Sequence, residues 1–118
     1  MSEQHKVAAR AVFEIWNDGR LDDLDEFVAP GVVHHDPLDP NGDRGLPGMK
    51  QTIASVRARF PDLRLTVEDQ IAQHDRVATR WTGWLAPGTA VAGITIDRFE
   101  HGKIVEAWRA IVTRGSTT

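Results

Sequence analysis

Phe60-Pro61-Asp62-Leu63-Arg64-Leu65-Thr66-Val67-Glu68 is the stretch at which the periodicity of the chain changes. Up to Phe60 apolar residues recur every three or four positions. From Leu63 onward Leu63, Leu65 and Val67 alternate with Arg64, Thr66 and Glu68, the two-residue period of a strand with one buried face. Pro61-Asp62 separates the two regimes, because proline removes an amide donor and does not continue a helix.

Working upstream, Met49, Ile53, Val56 and Phe60 follow one another at intervals of four, three and four, which predicts a helix beginning near Leu46-Pro47-Gly48. Val7, Ala8, Ala11, Val12, Ile15 and Trp16, widened by Phe13, predict a longer helix over Glu3 to Asn17. Asn17-Asp18-Gly19 closes it, since glycine readily takes the left-handed conformation at a helix end. Between the two helices, Leu21, Leu24, Phe27 and Val28 predict a shorter one stopped at Ala29-Pro30-Gly31. Val32 to Asp36 reads as an extended segment and Pro37 to Gly45 as a loop dense in proline, glycine and aspartate.

Working downstream, Val77, Thr79 and Trp81 alternate with Ala78, Arg80 and Thr82, and Gly93, Thr95, Asp97 and Phe99 alternate with Ile94, Ile96 and Arg98. Turn residues at His74-Asp75, Ala86-Pro87-Gly88 and His101-Gly102 join these strands into an antiparallel meander, whose last strand starts at Lys103 and ends near Thr113 before a tail at Gly115 to Thr118. Helices followed by strands, without βαβ alternation, predict an α+β fold. In it the helices cover one side of a strongly curved antiparallel sheet and enclose a pocket, all within one domain over residues 1–118.

Composition narrows the functions available. The formal charge of −3 arises from 17 acidic and 14 basic residues spread along the chain, so nucleic acid is not an expected partner. The absence of cysteine excludes disulfides, thiolate metal sites and cysteine nucleophiles. Met1-Ser2-Glu3-Gln4-His5 lacks the basic stretch and apolar run of a signal peptide, and no window approaches the roughly 18 apolar residues of a membrane span. A cytoplasmic protein with no membrane partner is expected.

Six short segments occur in an order that carries more information than any one of them. They are Ile15-Trp16-Asn17-Asp18-Gly19, Phe27-Val28-Ala29-Pro30, His35-Asp36-Pro37, Phe60-Pro61-Asp62-Leu63, Asp75-Arg76-Val77-Ala78 with Arg80-Trp81, and Gly102-Lys103-Ile104-Val105-Glu106 with Trp108. In this the chain resembles the SnoaL-like polyketide cyclases, which have the nuclear transport factor 2-like fold. The resemblance implies a cone formed by a bent sheet around the N-terminal helix, and a homodimer made through the outer face of the sheet. Members include aldol cyclases, isomerases and epoxide hydrolases, so the fold alone does not name a reaction. The chain departs from the cyclases at the position of their acid/base aspartate, which the resemblance places at Val112, and at Ala107, where histidine is frequent. The connection at Trp84 to Ala90 is short.

Removing a proton from carbon beside a carbonyl, or closing an aldol, requires a base whose pKa lies near working pH and donors for the developing oxyanion. His35 and Asp36, next to the long loop, are candidates, against the alternative that Asp36-Pro37 is turn chemistry and that His34 and His35 bond to nearby backbone. Asp97 is a base if the Thr95 face lines the cavity, and a solvated charge otherwise. Arg80 pairs with Asp97 or Glu106, or faces a ligand oxygen; Arg109 shares that ambiguity. Trp16, Trp81, Thr95, Phe99, Trp108 and Val112 are candidate ligand contacts, with core packing as the alternative for the tryptophans; Trp108, which shares strand parity with Glu106 and Val112, is assigned to the cavity. Adjacent His34 and His35 point to opposite sides of a strand, and no phosphate-binding glycine loop occurs, so neither metal nor cofactor is expected. The reading is a cofactor-independent acid/base enzyme of cyclase, isomerase or hydrolase type, acting on a small hydrophobic or aromatic carbonyl compound. The alternative is a non-catalytic ligand-binding or dimerisation module of the same fold.

Overall fold

The computed structural model describes residues 2–36 and 45–113. Of the loop read over Pro37 to Gly45, residues 37–44 lie outside the described residues, as does the tail at Gly115 to Thr118, while Gly45 opens a helix. Helix α1 (Ser2–Asp18) is followed by a 3-10 turn (Leu21–Asp23), a single turn of helix α2 (Leu24–Phe27), strand β1 (Val28–His35) and helix α3 (Gly45–Arg59). Four strands complete the chain: β2 (Arg64–Gln73), β3 (Arg76–Ala86), β4 (Thr89–Glu100) and β5 (Lys103–Thr113).

The end of α1 shows how sequence sets the geometry. Gly19 has φ +77°, and its N–H donates to the Ile15 carbonyl at 2.7 Å, which closes the helix in the left-handed region where glycine carries no steric penalty. Arg57 of α3 donates from Nη1 to the carbonyls of Trp16 and Asn17, both at 2.7 Å, placing a cation at the negative end of α1. The Asn17 amide donates to the Leu65 carbonyl at 2.8 Å and accepts from the Leu65 N–H at 2.7 Å. One side chain therefore docks the helix end on β2.

Strands β2 to β5 form the antiparallel meander, and β1 joins its end alongside β5, giving the order β1-β5-β4-β3-β2. The β1 pairing is parallel, with Val28 opposite Ile104 and His35 opposite Trp108, so the sheet is mixed. The second helix is correspondingly shorter than its apolar spacing predicts. Val28 is fully buried as the first residue of β1, and burial in the sheet overrides the helical pattern. Pro30 is tolerated because β1 is an edge strand.

Helix α1 lies on β2 and β3, and α3 lies on β1. Val12, Ile15 and Trp16 of α1, Ile53 of α3, and Val32, Val77, Phe99 and Ile104 of the sheet close the core between these layers. Every strand pair carries a register irregularity, the local device that bends and twists a sheet.

Candidate functional site

The register of β4 against β5 decides which side chains meet inside. The two-residue turn His101-Gly102, with φ +52° and +79°, pairs Glu100 with Lys103 and Phe99 with Ile104. Continued without interruption, that register would place Glu106 opposite Asp97. A bulge intervenes, and Glu106 pairs with Arg98, Ala107 with Asp97, Trp108 with Ile96 and Arg109 with Thr95. Because strand side chains alternate, one extra residue transfers the rest of β5 to the opposite face. Ala107, Arg109 and Ile111 face the helices, and Glu106, Trp108 and Val112 face away.

A cavity of about 270 Å³ lies between the inner sheet face, α1 and α3. Val12, Phe13, Met49, Val56 and Ile111 provide apolar wall, together with Trp16 and Trp81. The polar side chains His34, Asp36, Thr52, Thr95, Asp97 and Arg109 come from β1, from the residue after it, from α3, and from β4 and β5. Their proximity follows from the ladder. His34 pairs with Ala107, which pairs with Asp97; Asp36 lies one residue beyond the His35–Trp108 pair, beside Arg109, which pairs with Thr95.

Asp97 is 6% exposed, and burial pushes its carboxyl up to about 7, against the opposing pull of the Arg109 guanidinium. Arg109 Nε lies 3.4 Å from Asp36 Oδ2, and the Asp36 side chain is 10% exposed. The same guanidinium carbon stands 5.6 Å from the centre of the Trp16 ring. Trp81 Nε1 donates to Thr95 Oγ1 at 3.0 Å. Two carboxyl groups thus flank one fixed cation at the end of an apolar chamber, and one of them titrates near neutrality. Among the described residues no three His, Asp or Glu side chains are grouped as a metal ion would require.

Residues 6–112 match the profile of the SnoaL-like polyketide cyclases. The chain belongs to that family. Among solved structures this SnoaL-like chain is similar to IdmH of Streptomyces antibioticus, a proposed polyketide cyclase, with a TM-score of 0.81 and 27% identity over 92% of this chain and 91% of that one. It is similar to AclR of Streptomyces galilaeus, a proposed hydroxylase, with a TM-score of 0.79 and 25% identity over 97% and 92% of the two chains. An NTF2-like protein of Mesorhizobium loti aligns with a TM-score of 0.77 and 26% identity over 94% and 93%. No curated protein matches the sequence. The α+β architecture is therefore that of the nuclear transport factor 2-like fold.

Within the SnoaL-like chain the candidates divide between the two sheet faces. Asp36, Asp97, Thr95, Trp16 and Trp81 line the cavity. Phe99 is buried beyond Asp97 and stacks on His5, with ring centroids 4.3 Å apart, in the core rather than at the cavity wall. His35 and Arg80 are on the outer face. His35 Nε2 lies 2.7 Å from Glu106 Oε2, and Arg80 Nε lies 3.4 Å from Asp69 Oδ2, so Arg80 pairs with neither Asp97 nor Glu106. Trp108, assigned to the cavity from the sequence, stands instead on the outer face between the His35 ring at 5.3 Å and the Arg76 guanidinium at 5.2 Å. Val112 shares that face and is 68% exposed, so position 112 has no access to the chamber. The bulge is the physical reason in both cases. His34 and Arg109, given less weight in the sequence reading, enter the cavity by the same parity rule. With Trp108 assigned to the cavity, strand alternation placed Arg109 on the opposite side, so its entry became visible only once the register of β5 was known.

Proposed function

We propose that this SnoaL-like chain is a cofactor-independent enzyme that enolises an apolar carbonyl compound, with Asp97 as the proton carrier. The observation that carries the reading is a buried carboxyl raised to about 7, facing an apolar cavity and neighboured by the Arg109 guanidinium. Ionised Asp97 takes a proton from the carbon beside the carbonyl, and the electrons of that C–H bond move onto the carbonyl oxygen. Arg109, held by Asp36, offers positive charge to the resulting enolate, and Thr95 and His34 supply further polar contacts. In a cyclase the enolate carbon then attacks a second carbonyl, and Asp97 returns the proton to the new alkoxide. In an isomerase it returns the proton to a different carbon. The apolar walls suit an aromatic or otherwise hydrophobic substrate.

The test is hydrogen–deuterium exchange at the carbons beside the carbonyl of 2-tetralone, followed by NMR in heavy water. The protein should accelerate exchange, and Asp97→Asn should lose at least about 100-fold of that acceleration. Equal exchange by both proteins would refute the assignment. Binding of 2-tetralone with no exchange by the unaltered protein would favour the alternative, a pocket that holds its ligand without reaction.

We also propose that the outer sheet face is covered by a second copy of the chain. Ile71, Ile94, Ile96, Trp84 and Val112 all stand exposed there, an apolar surface of the kind that marks an interaction site. Solution mass should be that of a dimer, and Ile96→Glu should shift it to a monomer. A monomeric unaltered protein at micromolar concentration would refute this.

A further inference from the structure

Gly93 on β4 is paired with Trp81 on β3, and both face the cavity side of the sheet. A Cβ at position 93 would lie 2.3 Å from Trp81 Cζ2, 2.6 Å from Cε2 and 2.9 Å from Cη2. Ordinary carbon contacts are about 3.5–4.0 Å, so an added methyl would have to displace the ring by more than about 1 Å. Gly93 is not among the glycines with positive φ. Its backbone therefore carries none of the left-handed strain that favours glycine at Gly19, and what demands glycine is the space taken by the indole.

The indole is held in place from a second direction. Its Nε1 donates to Thr95 Oγ1 at 3.0 Å, two residues along the strand from Gly93, and the Phe13 ring of α1 is tilted against it with the ring centres 6.1 Å apart. Trp81 is 4% exposed and forms part of the cavity wall. A ring lifted from Gly93 moves off the sheet, toward Phe13 of α1 and the cavity that both rings line.

We infer that Gly93 is a specificity-determining residue: by letting Trp81 lie flat on β4 it sets the width of the cavity and hence the ring size of the carbonyl ligand admitted. This rests on the reading of the cavity as the site for an apolar carbonyl compound. It adds the residue that gauges that compound.

The experiment measures the affinities of acetophenone, 2-acetylnaphthalene and 2-acetylanthracene, which carry one, two and three fused rings, by equilibrium dialysis. Gly93→Ala should weaken binding of 2-acetylnaphthalene and 2-acetylanthracene at least about fivefold more than binding of acetophenone, the scale of an overpacked site. Trp81→Phe removes the atoms that the new methyl would strike. In the Trp81→Phe background, adding Gly93→Ala should change all three affinities by less than about twofold. That comparison stands even if the single variant fails to fold. A uniform loss across the three ligands, or an equal penalty in both backgrounds, would overturn the inference while leaving the site assignment intact. Failure of the unaltered protein to bind any of the three would overturn the ligand reading, and this inference with it.

Discussion

Two clusters of carboxylates and cations sit back to back on the β4–β5 ladder. On the outer face Glu106 Oε2 lies 2.7 Å from His35 Nε2 and Oε1 lies 3.1 Å from Arg98 Nε; the hydrogen bond from His35, then Arg98, hold its carboxyl below the usual range. On the inner face Asp97 neighbours Arg109, yet its carboxyl is pushed up to about 7. Both acids have a cation nearby, so charge pairing does not explain the opposite shifts. Solvation does. Glu106 keeps contact with water and benefits from its partners, whereas burial of Asp97 disfavours its ionised form more than Arg109 restores it. Of the two carboxyls, the one from which the sheet and helices exclude water is the one raised toward neutrality.

The comparison can be broken most sharply by exchanging charge for an amide on each face. Asp97→Asn should reduce carbonyl-directed exchange by at least about two orders of magnitude, and Glu106→Gln should leave it within about twofold. Equal effects in an NMR exchange assay would erase the distinction between the faces.

The next effect concerns stability against pH. The folded pKa of Asp97 is raised above its ordinary 3.8, so its contribution is fully present below about 3.8 and is lost as pH rises through about 7. Asp97→Asn cannot ionise. Urea unfolding at a series of pH values should show the variant gaining on the unaltered protein between about pH 4 and pH 8, by on the order of a few kcal/mol. A constant difference across that range would mean that Asp97 is not held neutral by the fold.

A smaller effect is expected from the cations. Arg109→Leu removes a partner of the nearly buried Asp36 and should lower stability by about 1–3 kcal/mol. It also removes the charge that opposes the upward shift of Asp97, so the midpoint of the exchange rate against pH should move above about 7. Arg98→Leu on the outer face should lower stability less than Arg109→Leu in the same urea titration, because its pairs are solvated. The smallest effect belongs to His35→Gln, whose side chain is about half exposed and whose loss should stay within about 1 kcal/mol in thermal or urea unfolding.

Much of the fold was legible before any coordinates. The spacing of Val12, Ile15 and Trp16, and of Met49, Ile53 and Val56, belongs to helices, and the alternation around Thr79, Trp81, Thr95 and Asp97 belongs to strands. Local periodicity reports local geometry directly. The parallel docking of β1 on β5 was not legible, since the partners are separated by α3 and the whole meander, and no short-range pattern encodes that pairing. Of the site, Asp97 and Thr95 could be placed on one face of their strand by alternation, but which face looked inward was open, and the register that brings Trp81 of β3 to the same side was not legible. Trp108 and Val112 were assigned to the cavity from the family resemblance, and the bulge between Ile104 and Glu106, which turns that half of β5 over, leaves no clear mark in Val105-Glu106-Ala107.

By itself the sequence determined the order of helices and strands, the turn positions and the alternation within each uninterrupted strand segment, because these depend on neighbours a few positions apart. The tertiary structure alone decided that Asp36, Arg109 and Asp97 converge, that His35, Arg80 and Trp108 stand outside, and that Asp97 is dry enough to titrate near neutrality. Those outcomes depend on register between distant strands and on the exclusion of water by helices packed over them. Both are properties of the assembled layers, which no single segment possesses.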